Sequence, residues 1–350
     1  MKKICFLVNT EYHLLFTLFL LDDFKKRNEN VDATIILHKE KNSVRLNQEI
    51  NFKGFNCKVI YLEYNVFEKT DIKTIKKIKF INLLMPDEFY FFQEKNLFAH
   101  ELIAKYKKRN CCVYLCQDGF KPYAIHTLRF SPITHYFNFF ENVRLLRMGK
   151  KPNNFFSFLF CHKYAYVKGI DKLMLSFEKS YINWNKKPIV KTNPKIDEIF
   201  MEKMKIVFGW QDILLPEKEN VIFYINQPMG DKKGDFDLHL IRELKKLHPG
   251  KIIYIKNHPQ IDKERIKAYK TIDNVYIINS KIPAELFIAH LKHSVIISFF
   301  STALFIENST CKFYYLFGIK NTGLKFLKSY NLSNPTSHVK VVNHISQILF

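Results

Sequence analysis

The sequence predicts an α/β protein made of two domains, each a doubly wound parallel sheet flanked by helices. Three observations predict it. Short apolar runs alternate with helix-length amphipathic patterns from Ile4 to Leu115. The same alternation resumes from Val221 to Phe317, after a polar stretch at Asn183–Asn193 that carries Lys186, Lys187 and Pro188. A length of 350 residues, 47% of them hydrophobic, supplies one ordinary core to each of two domains.

The first domain opens on a strand, Ile4–Val8, followed by the polar loop Asn9-Thr10-Glu11 and a helix, Glu11–Lys25. Lys2 and Lys3 before this apolar stretch imitate a secretion signal. Asn9, Glu11 and His13 interrupt it, and no small-residue cleavage site follows, so a buried strand, a loop and an amphipathic helix are expected. The uninterrupted part also falls well short of the ~20 residues that a spanning helix needs. Further strands are predicted at Ala33–Leu37, Lys58–Leu62, Glu88–Phe92 and Cys112–Leu115, with helices at Ile72–Leu84 and Leu97–Lys108. From Phe120 to Lys163 the rhythm breaks into a run rich in Phe and Tyr that carries Arg144, Arg147, Lys150 and Lys151. An aromatic and basic helical insertion is expected over about 120–165. Its composition suits an interfacial membrane contact, and equally a set of helices packed on the first domain with the aromatics as core. The first domain is expected over residues 1–185 and the second over 186–350.

In the second domain strands are predicted at Val221–Ile225, Lys251–Lys256, Val275–Ile278, Val295–Phe299 and Phe313–Phe317. Helices fit Leu238–Leu247, Pro283–Leu291 and Thr302–Glu307. Two Rossmann-like domains facing a central cleft constitute the GT-B architecture. No glycine-rich phosphate loop follows the first strand, where Asn9-Thr10-Glu11 stands instead, and this argues against a nicotinamide or flavin enzyme.

Lys and Arg total 55 against 33 Asp and Glu, a net charge of +22. Such a balance attracts polyanions: nucleic acid, anionic lipid or phosphorylated glycan. A lysine-rich surface that is merely well solvated has the same composition. No zinc-finger spacing, RNA-binding aromatic signature or Arg-rich arm is present, so nucleic acid is not an expected partner. The seven cysteines are odd in number and form no CxxC, which fits a reducing cytoplasm without a disulfide framework.

The residues able to carry chemistry stand at predicted strand ends, where open parallel sheets bind ligands. Asp118, in Cys116-Gln117-Asp118-Gly119, can take a proton from a sugar hydroxyl, or can cap a backbone amide in an Asp-Gly turn. His258, in Lys256-Asn257-His258-Pro259, can donate to a departing phosphate, and Lys256 points to the same side of the strand. A second pair, His248-Pro249, sits in a plain helix end, so it is the strand-end position that distinguishes His258. Ser298, Ser301 and Thr302 offer hydroxyls at the next strand end and the start of a helix, which suits an anion and suits an N-cap equally. Gln227, before Pro228 and Gly230, can contact phosphate or base. Glu285, in a helix's first turn, can hold the two hydroxyls of a ribose or answer the helix dipole. Asn9, Thr10, Tyr12 and His13 follow the first strand and can line the cleft, or form an ordinary helix start with Thr10 as cap. No HxxxH pair or clustered Cys/His set with ligand spacing appears, so no metal site is predicted.

Taken in order, Gln117-Asp118-Gly119, His258-Pro259 and Ser301-Thr302 resemble three motifs of the bacterial GT-B sialyltransferases of glycosyltransferase family 52 and their polysialyltransferase relatives. The opening Val8-Asn9-Thr10-Glu11-Tyr12-His13-Leu14-Leu15 is similar to the family's start, and the Asn-Gln-Pro and Ile-Pro-Ala-Glu-Leu runs also look familial. The resemblance spans most of the chain. It implies CMP-sialic acid as donor, inversion at the anomeric carbon and no required metal or other cofactor. It also implies His258, Ser301 and Thr302 at the CMP phosphate, Glu285 at the cytidine ribose, and the acidic motif as general base. Gln117 departs from the family, which usually carries an acid there. Either Asp118 takes the role of base, or the base lies elsewhere, or donor and acceptor differ.

The expected activity is therefore transfer of sialic acid to a terminal sugar, galactose on lipooligosaccharide or capsular glycan. The expected partners are a nucleotide-sugar donor, a glycan acceptor that can be lipid-linked, an anionic membrane surface and, in a homodimer, a second copy. The expected place is the cytoplasm, peripheral on the inner face of the inner membrane. Two alternatives use the same residues: a same-fold transferase with CMP-Kdo or a UDP-sugar as donor, and a non-catalytic glycan- or lipid-binding protein on a degenerate scaffold.

Overall fold

The computed structural model describes residues 1–39, 46, 50–63, 83–94, 97–126, 164–165, 167–181, 186–192, 194–210, 215–227, 235–258, 263–319 and 330–350. Most of the predicted Ile72–Leu84 helix, nearly all of the aromatic and basic insertion, and Pro228, Gly230 and Pro259 lie outside them. The chain forms two compact units, residues 1–122 with 128–194, and residues 123–127 with 195–350.

The first unit is built on a parallel sheet of β1 (Lys2–Val8), β2 (Val31–Lys39), β3 (Cys57–Glu63), β4 (Glu88–Phe91), β5 (Cys112–Cys116), β7 (Lys172–Leu175) and β8 (Ile189–Lys191), in the order β3-β2-β1-β4-β5-β7-β8. The order reverses between β1 and β4, so the crevice at their carboxyl ends is where such a sheet binds ligands. The signal-like segment is β1 and helix α1 (Glu11–Lys26), which begins where the Thr10 hydroxyl accepts the His13 amide. Phe6, Phe89 and Phe91 fill the interior, along with Phe98 and Tyr106 of helix α2 (Leu97–Lys107). Cys5, Cys111 and Cys116 are buried as small apolar groups, and burial pushes the Cys111 thiol up to about 12.

Two expectations are corrected at the join. The stretch read as a linker contains β8, which bonds to β7, so the first sheet runs past residue 185 and its unit ends at Pro194. Three residues of edge strand are too few to show a period. The start of the insertion is also not part of the first unit. Strand β6 (Ala124–His126) pairs antiparallel with β14 (Tyr330–Leu332), and Tyr123 packs edge-on against Phe305 at 5.5 Å.

The second unit's parallel sheet contains β9 (Ile222–Ile225), β10 (Ile253–Lys256), β11 (Val275–Ile278), β12 (Val295–Ser298), β13 (Lys312–Tyr315) and β15 (Val339–Val341), ordered β11-β10-β9-β12-β13-β15. The reversal here lies between β9 and β12. The near-continuous apolar strands match a sheet covered on both faces. Helices α3 (Glu198–Phe208), α4 (Asp235–Leu247), α5 (Lys263–Tyr269) and α6 (Ala284–His290) belong to this unit. Ile222, Tyr224, Ile253 and Ile255 pack with Leu240, Leu244 and Tyr269 of α4 and α5. Among the described residues no helix is long and apolar enough to cross a membrane.

Candidate functional site

In the first unit the chain leaves β1 at Asn9 and β5 at Gln117, beside the reversal of strand order. The structure brings His13 and Asp118 together across 105 residues: His13 Nε2 lies 3.0 Å from Asp118 Oδ1. The backbone amide of Asn9 donates to His13 Nδ1 at 3.4 Å, so the neutral ring carries its hydrogen on Nε2 and donates it to Asp118. The imidazole stacks on Phe92 with centroids 4.3 Å apart and planes within 7°. The side chain of His13 is 1% exposed and that of Asp118 is 32% exposed. The pair is thus a fixed interior donor holding a carboxylate that faces solvent. Gly119, at φ 62°, occupies the left-handed region and turns the chain out of the sheet directly after it.

The neighbouring predicted residues serve the scaffold. Thr10 caps α1 with its hydroxyl. Asn9 is buried, and its Nδ2 reaches the ring and carbonyl of His38 at 3.0 and 3.5 Å. Gln117 does not face a ligand: it is 1% exposed, its Oε1 accepts the Ser176 amide at 3.1 Å, and its Nε2 reaches the half-buried Tyr12 hydroxyl at 3.4 Å. It ties the end of β5 to β7. The half-buried carboxylate and the buried amide are adjacent in sequence because side chains alternate faces at a strand end.

In the second unit Gln227 bridges the reversal between β9 and β12. Its Oε1 accepts the Phe300 amide at 3.1 Å, which leaves its Nε2 to donate elsewhere. Ser298 is corrected from ligand to anchor. It is fully buried, its hydroxyl donates to the Ile225 carbonyl at 3.0 Å, and it accepts the Ser301 amide at 3.3 Å. Ser301 in turn accepts the Ala303 amide at 3.2 Å, and its carbonyl takes the Tyr315 hydroxyl at 3.0 Å. The helix expected at Thr302–Glu307 is a single 3-10 turn, Thr302–Phe305, ending in extended backbone at Ile306. Asn308 draws the chain away by donating to the Ile288 and Leu291 carbonyls at 2.9 and 2.8 Å. Ser301 and Thr302 are half-buried at this turn, which has no α-helix dipole behind it.

His258 is half-buried two residues past β10. Lys256, the last residue of β10, is buried. Its ammonium donates to the Ser280 carbonyl and lies 5.8 Å from the Phe287 ring centroid. It also exerts a favourable field on Glu285, at the start of α6. Burial raises the Glu285 carboxyl from 4.5 to about 7, against the lowering effects of its own backbone amide and of Lys256. The sign follows. Below about pH 4.5 the carboxyl is protonated in folded and unfolded chains alike, and its burial costs nothing extra. Between 4.5 and 7 the unfolded chain ionises first, so stability falls as pH rises and levels off above 7. The loss is about 3 kcal/mol at about 1.4 kcal/mol per pKa unit. Glu285→Gln is therefore expected to raise Tm at pH 8 and to change it little near pH 4.5, as read by calorimetry across that range.

No protein-family model and no curated protein sequence matches the chain. Solved structures do. The GT-B domain of a sialyltransferase from Photobacterium damselae aligns with a TM-score of 0.53 at 11% identity, over 97% of this chain and 100% of that one. A 2,6-sialyltransferase from Photobacterium sp. JT-ISH-224, solved with the donor product CMP and the acceptor lactose, aligns with a TM-score of 0.50 at 12% identity, over 94% of this chain and 74% of that one. The UDP-GlcNAc 2-epimerase of Neisseria meningitidis is also similar, with a TM-score of 0.46 at 13% identity, over 86% of this chain and 78% of that one. At these identities the likeness is one of architecture: two parallel Rossmann-like sheets in one chain, the α/β GT-B fold.

Proposed function

We propose that this protein is an inverting, metal-independent glycosyltransferase that moves sialic acid from CMP-sialic acid to a terminal sugar, galactose on a lipooligosaccharide or capsular glycan. One observation carries the reading. The half-buried Asp118 carboxylate, oriented by His13, stands at the carboxyl end of a parallel sheet in a GT-B fold. The sialyltransferase likeness and the ordered motifs support CMP-sialic acid as the donor class.

In this mechanism Asp118 removes the proton of the acceptor hydroxyl as that oxygen bonds to the anomeric carbon. The bond from the same carbon to the CMP phosphate breaks on the opposite face, so one displacement inverts the centre. Negative charge develops on the departing phosphate, where His258, Ser301 and Thr302 donate hydrogen bonds and Lys256 adds positive field. Gln227 contributes its Nε2, and Glu285 accepts from the ribose hydroxyls. His13 acts through Asp118 as a positioning residue. Because Gln117 is a buried tie, its departure from an acid leaves the half-buried Asp118 carboxylate in place, which supports catalysis over a purely binding role. The net charge of +22 supports peripheral contact with the anionic cytoplasmic leaflet, where a lipid-linked acceptor would lie.

The test is release of CMP from CMP-sialic acid with lactose as acceptor, together with thermal shift by nucleotides. Turnover and stabilisation by CMP are expected. Stabilisation by UDP and not by CMP overturns the sialyl reading. The positioning role predicts that His13→Gln, which keeps a donor, retains more turnover than His13→Leu when both melt alike. Equal losses would reduce His13 to packing.

A further inference from the structure

A second polar set lies at the ends of β9 and β10, apart from the residues assigned above. Asn226 and Asn257 follow these two strands directly and are 1% and 8% exposed. They are neighbours across the ladder, where the Asn226 amide donates to the Lys256 carbonyl at 3.1 Å. Strand alternation puts both on the face that carries Tyr224 and Ile255, under α4 and α5.

The orientation of Asn226 is determined by its neighbours. Its Nδ2 lies 3.0 Å from the Tyr269 hydroxyl. That hydroxyl gives its own hydrogen to Asp237 Oδ2 at 3.4 Å. Arg265 reaches the same oxygen at 3.0 Å, and Tyr224 donates to Oδ1 at 2.6 Å. A carboxylate only accepts, so Tyr269 must accept from Asn226, and Asn226 Oδ1 points away as a fixed acceptor. This Oδ1 is buried without a partner, and so are both Oδ1 and Nδ2 of Asn257. Three unpartnered amide atoms on adjacent residues, each next in sequence to Gln227 or His258, are uncommon in a folded interior and imply a group that satisfies them.

The open set is two acceptors and one donor. Its complement offers two hydrogens and one lone pair along a single edge, which is an exocyclic amino group beside an unprotonated ring nitrogen. A 4-aminopyrimidine has that edge. A 4-oxopyrimidine instead sets a carbonyl oxygen against the fixed Asn226 Oδ1. We propose that Asn226 and Asn257 form a base-reading subsite that accepts cytidine nucleotides and rejects uridine nucleotides. This rests on the cytidine-donor reading above and adds the residues that set base choice. A buried site built for hydrogen bonds discriminates strongly against a ligand that leaves its groups unpaired.

The experiment is calorimetric titration of the full chain with CMP and with UMP, for wild type, Asn226→Leu and Asn257→Leu, with Tm measured alongside. Wild type is expected to bind CMP at least about tenfold more tightly than UMP. Asn226→Leu should bring the ratio to within about twofold, and Asn257→Leu should weaken CMP about tenfold. Leucine has nearly the shape of asparagine and removes an unpartnered polar atom, so at least the Asn257 variant is expected to fold. A wild-type ratio near one overturns the subsite. So does a ratio unmoved in both variants while only Tm shifts, the signature of an interior water. Asparagine-dependent CMP preference without sugar transfer would keep the subsite and sink the transferase reading. Transfer with an unmoved ratio would do the reverse.

Discussion

Asp118→Asn is expected to lower turnover by about 10²–10⁴-fold, the usual contribution of a positioned base, while leaving CMP affinity unchanged. The substitution keeps size and shape, and His13 Nε2 would still find an amide oxygen at the position it now bonds at 3.0 Å. The amide's nitrogen would then face the acceptor, presenting hydrogens where the reaction needs a lone pair. Steady-state CMP release measured beside CMP titration separates the two quantities. The affinity should hold because the proposed nucleotide residues belong to the other unit. Wild-type turnover in the asparagine variant would remove Asp118 from the chemistry and return the search to other bases.

His258→Ala is expected to cost about 10²–10³-fold in turnover, the typical loss for one donor to a developing oxyanion, and to weaken CMP binding as well. This double effect distinguishes the leaving-group side from the base. An imidazole that contacts the phosphate meets it before and after transfer, whereas Asp118 meets only the acceptor. The same pair of measurements decides it. Lost turnover with unchanged CMP affinity would place His258 away from the phosphate, and unchanged values of both would make it a surface residue.

Much of the fold was legible because β-branched and aromatic runs bounded by polar turns are local signals. Strand ends at Val8, Ile225, Lys256 and Ile278 fall where the pattern puts them. Helix α3 was missed although its signals were present: Asp197 caps it by accepting the Phe200 amide at 2.8 Å, and Gly209 ends it at φ 60°. Strands β8 and β15 were missed for a better reason, since three residues carry no period. The pairing of β6 with β14 joins residues about 200 apart, and nothing local announces it. The site divides the same way. Residue types at strand ends were readable, but not which of them are interior ties. Ser298 and Gln117 look like ligand residues in the sequence and became anchors through burial, which is a tertiary property. The His13–Asp118 bond spans 105 residues and is invisible to spacing.

The strand Ala124–His126 changes what counts as a module in this chain. The polypeptide passes between the units at 122–123, again at 127–128 and finally at 194–195. A chimera that exchanges the second unit by one crossover at residue 195 would separate β14 from its only described sheet partner, and Phe305 from Tyr123. An exchangeable second unit consists of two pieces, 195–350 and the five-residue strap 123–127, and in evolution or in the laboratory they must be inherited together.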